Sequence, residues 1–236
     1  MARLARIVLP GVAHHVTQRG NRRLPVFFCD EDRCLYLDLM AEAARASAVR
    51  CLAWCLMDNH VHLILVPETA DGLCAMLGEA HRRYTRHVNF REGWRGHLFQ
   101  SRFASYPMDD AHLMAAVRYV EQNPVAAGMV GAAGDWPWSS AASHLAGQRT
   151  AHDPLTDLGA LGQHVRNWHA MLSHGLGAGE LGPAGEAVAE AIEARLRTGR
   201  ALADSEWITQ QEERIGRPIA PRKPGRKPQG KEPTPR

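Results

Sequence analysis

The stretch from Trp54 to Pro67, WCLMDNHVHLILVP, limits what this chain can fold into more than any other. It is two apolar runs broken by the polar step Asp58-Asn59. The second run is rich in β-branched residues, holds no internal glycine or proline, and stops at Pro67, which predicts a strand entered from a tight hairpin. Side chains alternate across a strand, so His60 and His62 share one face while Val61 and Leu63 take the other. Two imidazoles side by side on a rigid strand suit metal binding or proton handling. An edge strand with two incidental histidines gives the same pattern.

In chain order, Val12–Gln18 reads as a first strand. Arg19-Gly20-Asn21-Arg22-Arg23 then makes a turn in which Gly20 and Asn21 tolerate positive φ. Asp30 is placed as the N-cap of a helix running to about Val49, with Glu31 and Asp32 in its first turn. Residues 50–57 and 60–66 are the hairpin. From Asp71, the residues Leu73, Leu77, Ala80, Tyr84 and Val88 recur at helical spacing as a core-facing stripe, with Arg82, Arg83 and Arg86 away from it. Leu98–Tyr106 reads as a further strand. Asp109 or Asp110 caps a helix predicted to stop near Asn123, because Pro124 disfavours α geometry before it. The order β-α-β-β-α-β-α predicts a sheet with helices packed on one face.

Composition sets the outer limits. With 236 residues, 45% of them hydrophobic, the chain can bury one domain plus an appendage, or two small domains. No run reaches the ~18 apolar residues of a membrane helix, and the first ten residues are too short and broken for a secretory signal. Five scattered cysteines without a Cys-x-x-Cys pair fit reduced thiols, hence a cytoplasmic setting. The net charge of +3 is uneven: residues 1–30 hold five arginines against Asp30, and residues 217–236 hold seven basic residues against Glu232. Two basic ends around a nearly neutral middle suggest a polyanion, although a basic tail also serves solubility alone.

The helix after Asp110 carries the second signal. Leu113, Val117 and Val120 define its buried stripe, and His112, Ala116, Tyr119 and Asn123 lie on one flank. Tyr119 and Asn123, four apart, are surface neighbours. Of the four tyrosines, Tyr36 and Tyr84 belong to core stripes and Tyr106 ends a strand; only Tyr119 stands on a polar flank.

Together these segments resemble a known family. Asn59-His60-Val61-His62-Leu63-Ile64 is similar to the His-hydrophobic-His motif of HUH endonucleases. Arg118-Tyr119-Val120-Glu121-Gln122-Asn123-Pro124-Val125 is similar to the tyrosine helix of their single-tyrosine, IS200-like transposases. Phe99–Phe103 and Asp135–Ser140 resemble segments of one branch, the REP-associated tyrosine transposases, so that residues 5–147 match in order. The resemblance implies an α+β, ferredoxin-like (RRM-like) antiparallel sheet, a divalent metal (Mg²⁺ or Mn²⁺), and cleavage and joining of single-stranded or hairpin DNA. It implies Tyr119 as nucleophile, with His60, His62 and Asn123 as metal ligands. A phenol of pKa near ~10 is a weak nucleophile at neutral pH, so the metal and nearby cations must assist it.

Candidate DNA contacts are Arg19, Gly20, Asn21, Arg22 and Arg23 of the turn, Arg82, Arg83 and Arg86 of the helix, Arg102, and the basic tail. Association with the nucleoid follows from such a partner. Three regions are expected: residues 1–150 as the transposase domain, 151–216 as a small helical extension, and 217–236 as a disordered basic, proline-rich tail. Within the extension, 157–173, 186–197 and 204–215 have helical spacing, with a glycine-rich linker at 175–183. Two rival readings stand beside the transposase. A histidine-triad hydrolase requires a third histidine where this chain has Ile64, and a domesticated protein would grip hairpin DNA without cutting it.

Overall fold

The structure, a computed structural model, describes residues 6–162, 164–173, 190–192, 194–196 and 198–220. Strands β1 (His14–Arg19), β2 (Val49–Met57), β3 (His60–Pro67) and β4 (Ala104–Pro107) form one antiparallel sheet in the order β2-β3-β1-β4. Helix α1 (Asp30–Ala46) joins β1 to β2, α2 (Gly72–Glu92) joins β3 to β4, and α3 (Asp110–Ala126) follows. This is the α+β, ferredoxin-like arrangement that the family resemblance implies, built on the element order read from the sequence.

Alternation along β3 divides the core in two. Val61, Leu63 and Leu65 join Tyr36, Leu73, Leu77 and Tyr84 in a cluster between the sheet and helices α1 and α2. Ile64 and Val66 join Leu113, Val117, Val120 and Tyr119 in a second cluster beneath α3. The first two helices therefore cover one face, as expected, and α3 covers the opposite face and makes the sheet a middle layer. Each fully buried aliphatic side chain, Leu63 among them, stabilises this arrangement by roughly 1.5–3 kcal/mol.

Several boundaries differ from the sequence reading. Cys29, not Asp30, holds the N-cap position of α1, and the capping is done from inside the helix: the Asp32 carboxylate accepts the Phe28 N–H at 2.9 Å. The helix ends at Ala46, short of Val49, where Ala48 turns to φ 49°. The strand expected over 98–106 is regular only at Ala104–Pro107, since Ser101 takes φ 55° and residues 98–103 keep a single bridge, Gly20 to Phe99. Helix α3 runs through Pro124 to Ala126. A proline removes one N–H there, and so close to the end of the helix the loss is confined to the last turn. At its start the Asp109 side chain accepts the His112 N–H, as expected of a cap.

After Ala126 the chain forms α4 (Ala141–Ala146), α5 (Trp168–Ser173) and α6 (Ser205–Ile215). The helix expected over 157–173 is thus reduced to its last six residues, the stretch before it being turns. Residues 190–192 and 194–196 are helical, and the rest of 186–197 is described only in part. Asp204 caps α6 by accepting from Trp207 N–H at 2.8 Å. The 175–183 linker and the tail beyond 220 lie outside the described residues; of the tail, Ile219 packs against Ile7 and Leu9. Among the described residues no helix is long and apolar enough to cross a membrane.

Later segments also close the sheet. Along β2, Leu56 N–H donates to Trp138 O at 2.9 Å, Ser140 N–H to Trp54 O at 2.9 Å, and Asp157 N–H to Cys51 O at 2.8 Å. Along β4, Leu202 N–H donates to Pro107 O at 3.0 Å. The indole of Trp54, fully buried, donates to Asp153 and Thr156.

Candidate active site

The Asp58-Asn59 turn is held by the chain that follows β1. Asp58 O accepts from Val26 N–H at 2.8 Å, Asn59 O accepts from Gly20 N–H at 2.8 Å, and the Asn59 amide donates to Arg23 O at 3.1 Å. Gly20 serves this docking by its size rather than by positive φ: its φ is −61°, and a Cβ there would stand 2.1 Å from Leu24 O. The positive φ values expected at Gly20 and Asn21 fall instead on Arg22 (54°) and Arg23 (62°). Docking of the two turns sets Arg19 and Arg23 beside the start of β3.

There His60 and His62 face α3, with ring centroids 4.9 Å apart. Tyr119, 8% exposed, meets His62 edge-on at 5.6 Å between centroids. A cavity of about 510 Å³ is lined by His60, His62, Tyr119 and Asn123, with Arg19, Arg23 and Arg102 around them. Four residues singled out from two distant motifs therefore share one pocket. Asn123 sits one helical turn beyond Tyr119.

Two polar residues of this cluster escaped the sequence reading. His15 Nε2 lies 2.9 Å from His62 Nδ1, and His15 Nδ1 lies 2.9 Å from the Tyr106 hydroxyl. His15 also meets the Tyr119 ring edge-on at 5.9 Å. The available signal was alternation: His15, Thr17 and Arg19 share the face of β1 that pairs with the histidine face of β3. The rule names the face but not the neighbour, which depends on the Thr17–His62 register.

Burial governs the electrostatics. It lowers the pKa of His60 to about 4, helped by Arg19 and opposed by Asp58. It lowers that of His15 to about 3, and that of His62 well below the ordinary range, with His15, His60 and Arg19 adding to the effect. All three rings are neutral at pH 7 and keep a lone pair. His60 Nδ1 is 2.6 Å from Asn59 Oδ1, so Nδ1 of both motif histidines is engaged and Nε2 remains for a ligand. Among the described residues no cluster of three or more His, Cys, Asp or Glu side chains could hold a metal; the candidate set here is two imidazoles and an amide.

The remaining arginines disperse. Arg82 pairs with Glu79 at 2.8 Å and Arg83 with Glu42 at 2.7 Å. Arg82, Arg86 and Arg102 line a second groove, and Asn21 lines a separate cleft with Phe28 and Trp94.

The model of the family described as "Transposase IS200 like" matches residues 10–123. Among solved structures, one described as a REP-associated tyrosine transposase bound to a REP hairpin is 22% identical. It superposes with a TM-score of 0.53 over 62% of this chain and 86% of its own, a likeness of fold. A putative transposase from Deinococcus radiodurans R1 is 20% identical over 51% of this chain and 97% of its own, with a TM-score of 0.36. Comparison with curated proteins gives no match. The stretch that matches the IS200-like transposase model thus contains His60, His62, Tyr119 and Asn123 together.

Proposed function

We propose that the protein is a metal-dependent single-strand DNA endonuclease and strand-joining enzyme that acts on hairpin DNA through a 5′-phosphotyrosine. The observation that carries this reading is the shared pocket: Tyr119 stands against His62, and His60 and Asn123 line the same cavity. The fold-relative described with a REP hairpin favours a hairpin substrate.

The residues present fit a divalent cation. Both histidines are neutral, each has its Nδ1 engaged, and an amide oxygen stands on the facing helix. Imidazole and oxygen donors suit Mn²⁺ or Mg²⁺ better than a closed zinc site. Bound there by His60, His62 and Asn123, the ion supplies charge that polarises the scissile phosphate. For His62 to offer Nε2, its Nδ1 must carry the proton and donate it to His15 Nε2. His15 then holds its own proton on Nδ1 and donates to the Tyr106 oxygen, so the two residues fix the tautomer and ring plane of the ligand. Arg19, Arg23 and Arg102 neutralise phosphate charge around the pocket.

In the reaction, the Tyr119 oxygen attacks phosphorus and loses its proton. The P–O3′ bond breaks and the leaving 3′-oxygen takes up a proton. The new phosphotyrosine ester retains the energy of the broken bond, so rejoining to another 3′-OH requires no nucleotide cofactor.

The test is incubation of the protein with a labelled hairpin oligonucleotide carrying unpaired flanks, with Mn²⁺ or Mg²⁺, followed by a denaturing gel. A slow-migrating covalent species that disappears in Tyr119→Phe and His60→Ala supports the reading; an adduct that persists in Tyr119→Phe overturns it. Retarded DNA on a native gel, with no adduct on any hairpin, would assign the protein to binding without cleavage.

A further inference from the structure

We infer that Glu121 is a positioning residue for Tyr119: with Ser140 and His144 it locks the tyrosine helix onto the sheet beside the histidine strand. Its part in the reaction rests on the strand-cleaving reading above. Helix α3 meets the sheet through Leu113, Val117 and Val120, all aliphatic. Such packing is non-directional, and packed helices slide past one another in small shear steps. A nucleophile in line with phosphorus tolerates little sliding, since a displacement of about 1 Å can cost on the order of 10²-fold in rate. The Asp109 cap anchors only the start of the helix.

Glu121 supplies direction close to the nucleophile. It follows Tyr119 by two residues, about 200° round the helix, and is fully buried. Its Oε1 accepts the Ser140 hydroxyl at 2.5 Å and lies 2.6 Å from His144 Nδ1. Ser140 is in turn tied to both backbone groups of Trp54 on β2. Its Oγ accepts the Trp54 N–H at 3.0 Å, and its own N–H donates to Trp54 O at 2.9 Å. Trp54 stands opposite Leu63, next to the Cys55–His62 pair. A run of hydrogen bonds thus leads from the tyrosine helix to the strand that pairs with the histidine strand.

The opposite side is held as well. The His144 ring lies flat on Trp168 of α5, with centroids 4.0 Å apart and planes within 3°. Gln122, the next residue of α3, donates to Leu172 O on α5. Glu121, Ser140 and His144 do not line the cavity at Tyr119, so contact with DNA or metal does not account for them. A carboxylate costs free energy to bury, and an apolar side chain of similar size would fill the space. What the carboxylate adds is geometry: hydrogen bonds are directional, and two of them fix the rotation and the axial position of the helix together.

The test labels the protein with 3-fluorotyrosine and assigns the Tyr119 fluorine resonance as the one missing from Tyr119→Phe. In the metal-free protein, Glu121→Leu and Ser140→Ala should shift or broaden that resonance. Glu121→Gln keeps an oxygen acceptor and should restore it. Leu37→Ala loosens the core on the other face of the sheet; it should lower the thermal midpoint and leave the resonance in place. With Mn²⁺ and saturating hairpin DNA, single-turnover adduct formation should slow on the order of 10²-fold in Glu121→Leu and Ser140→Ala. Hairpin affinity should be unchanged in both, and Glu121→Gln should run near the native rate. If Glu121→Leu fails to fold, Ser140→Ala and Glu121→Gln carry the test. A resonance unmoved in Ser140→Ala, a Glu121→Gln protein that behaves like the leucine variant, or a rate that falls only in step with DNA affinity would overturn the inference. Adduct formation by the native protein separates the two claims. Without it the strand-cleaving reading fails and the fluorine resonance alone decides the positioning role. An adduct whose rate ignores Ser140→Ala leaves the enzyme and removes the role of Glu121.

Discussion

The two faces of β3 solve opposite problems with the same backbone. Val61, Leu63 and Leu65 enter a cluster closed by α1 and α2, where hydrophobic burial does the work and these three side chains bring no polar atom that needs a partner. One residue out of phase, His60 and His62 point towards α3, and each polar atom placed there must be satisfied. His62 meets His15, His15 meets Tyr106, and His60 meets Asn59. A strand of period two can therefore carry a core and a reactive surface at once, provided the neighbouring strands supply partners for the second. The apolar face sets stability, and the polar face spends some of it on preorganised chemistry.

This contrast can be broken experimentally. The largest effect is expected from Tyr119→Phe, which should abolish the covalent adduct on the denaturing gel while leaving the fold intact. Next, Leu63→Ala should cost about 2–5 kcal/mol in urea denaturation through the cavity it leaves. His62→Ala should cost less, about 1–3 kcal/mol from stranding His15, yet remove the adduct. A larger stability loss at His62 than at Leu63 would reverse the division between the faces.

Acid should act on stability through histidines remote from the pocket. Burial lowers His14 to about 4 and His81 to about 3. Below pH 6.5 the unfolded chain takes up protons that the folded chain refuses, so stability is fully present above that pH and is lost as pH falls. Each group should remove up to about 2 kcal/mol between pH 7 and pH 5, read as a falling thermal midpoint; a flat midpoint would sink the assignment. The smallest effect belongs to Arg83→Ala. Its pair with Glu42 is half exposed, so about 0–1 kcal/mol of stability and no change in the salt dependence of DNA binding are expected.

The division between the faces was legible in the sequence, because it depends only on local alternation. So were a cap at Asp109 or Asp110, of which the structure uses Asp109, the short helix over 204–215, and the i, i+4 pair Tyr119 and Asn123. What depends on register or on a neighbouring element was not legible. His15 reaches His62 only once β1 pairs with β3, and Arg82 and Arg83 look like free cations until Glu79 and Glu42 are seen beside them. Asp32 displaces Asp30 as the capping carboxylate because the chain folds back at Phe28. Gly20 gave a misleading signal: glycine marks either positive φ or lack of room, and here the carbonyl of Leu24 decides for room.

The hydrogen bonds that Trp138, Ser140, Asp157 and Leu202 exchange with β2 and β4 all come from beyond residue 123, where the family match ends. A fragment cut after α3 would keep His60, His62, Tyr119 and Asn123, lose Leu196 from the pocket lining, and expose two bare rows of amides and carbonyls. Such rows are templates for strand addition between molecules. The later part of the chain thus acts as a solubility device for the sheet, and the minimal soluble unit is longer than the minimal reactive one.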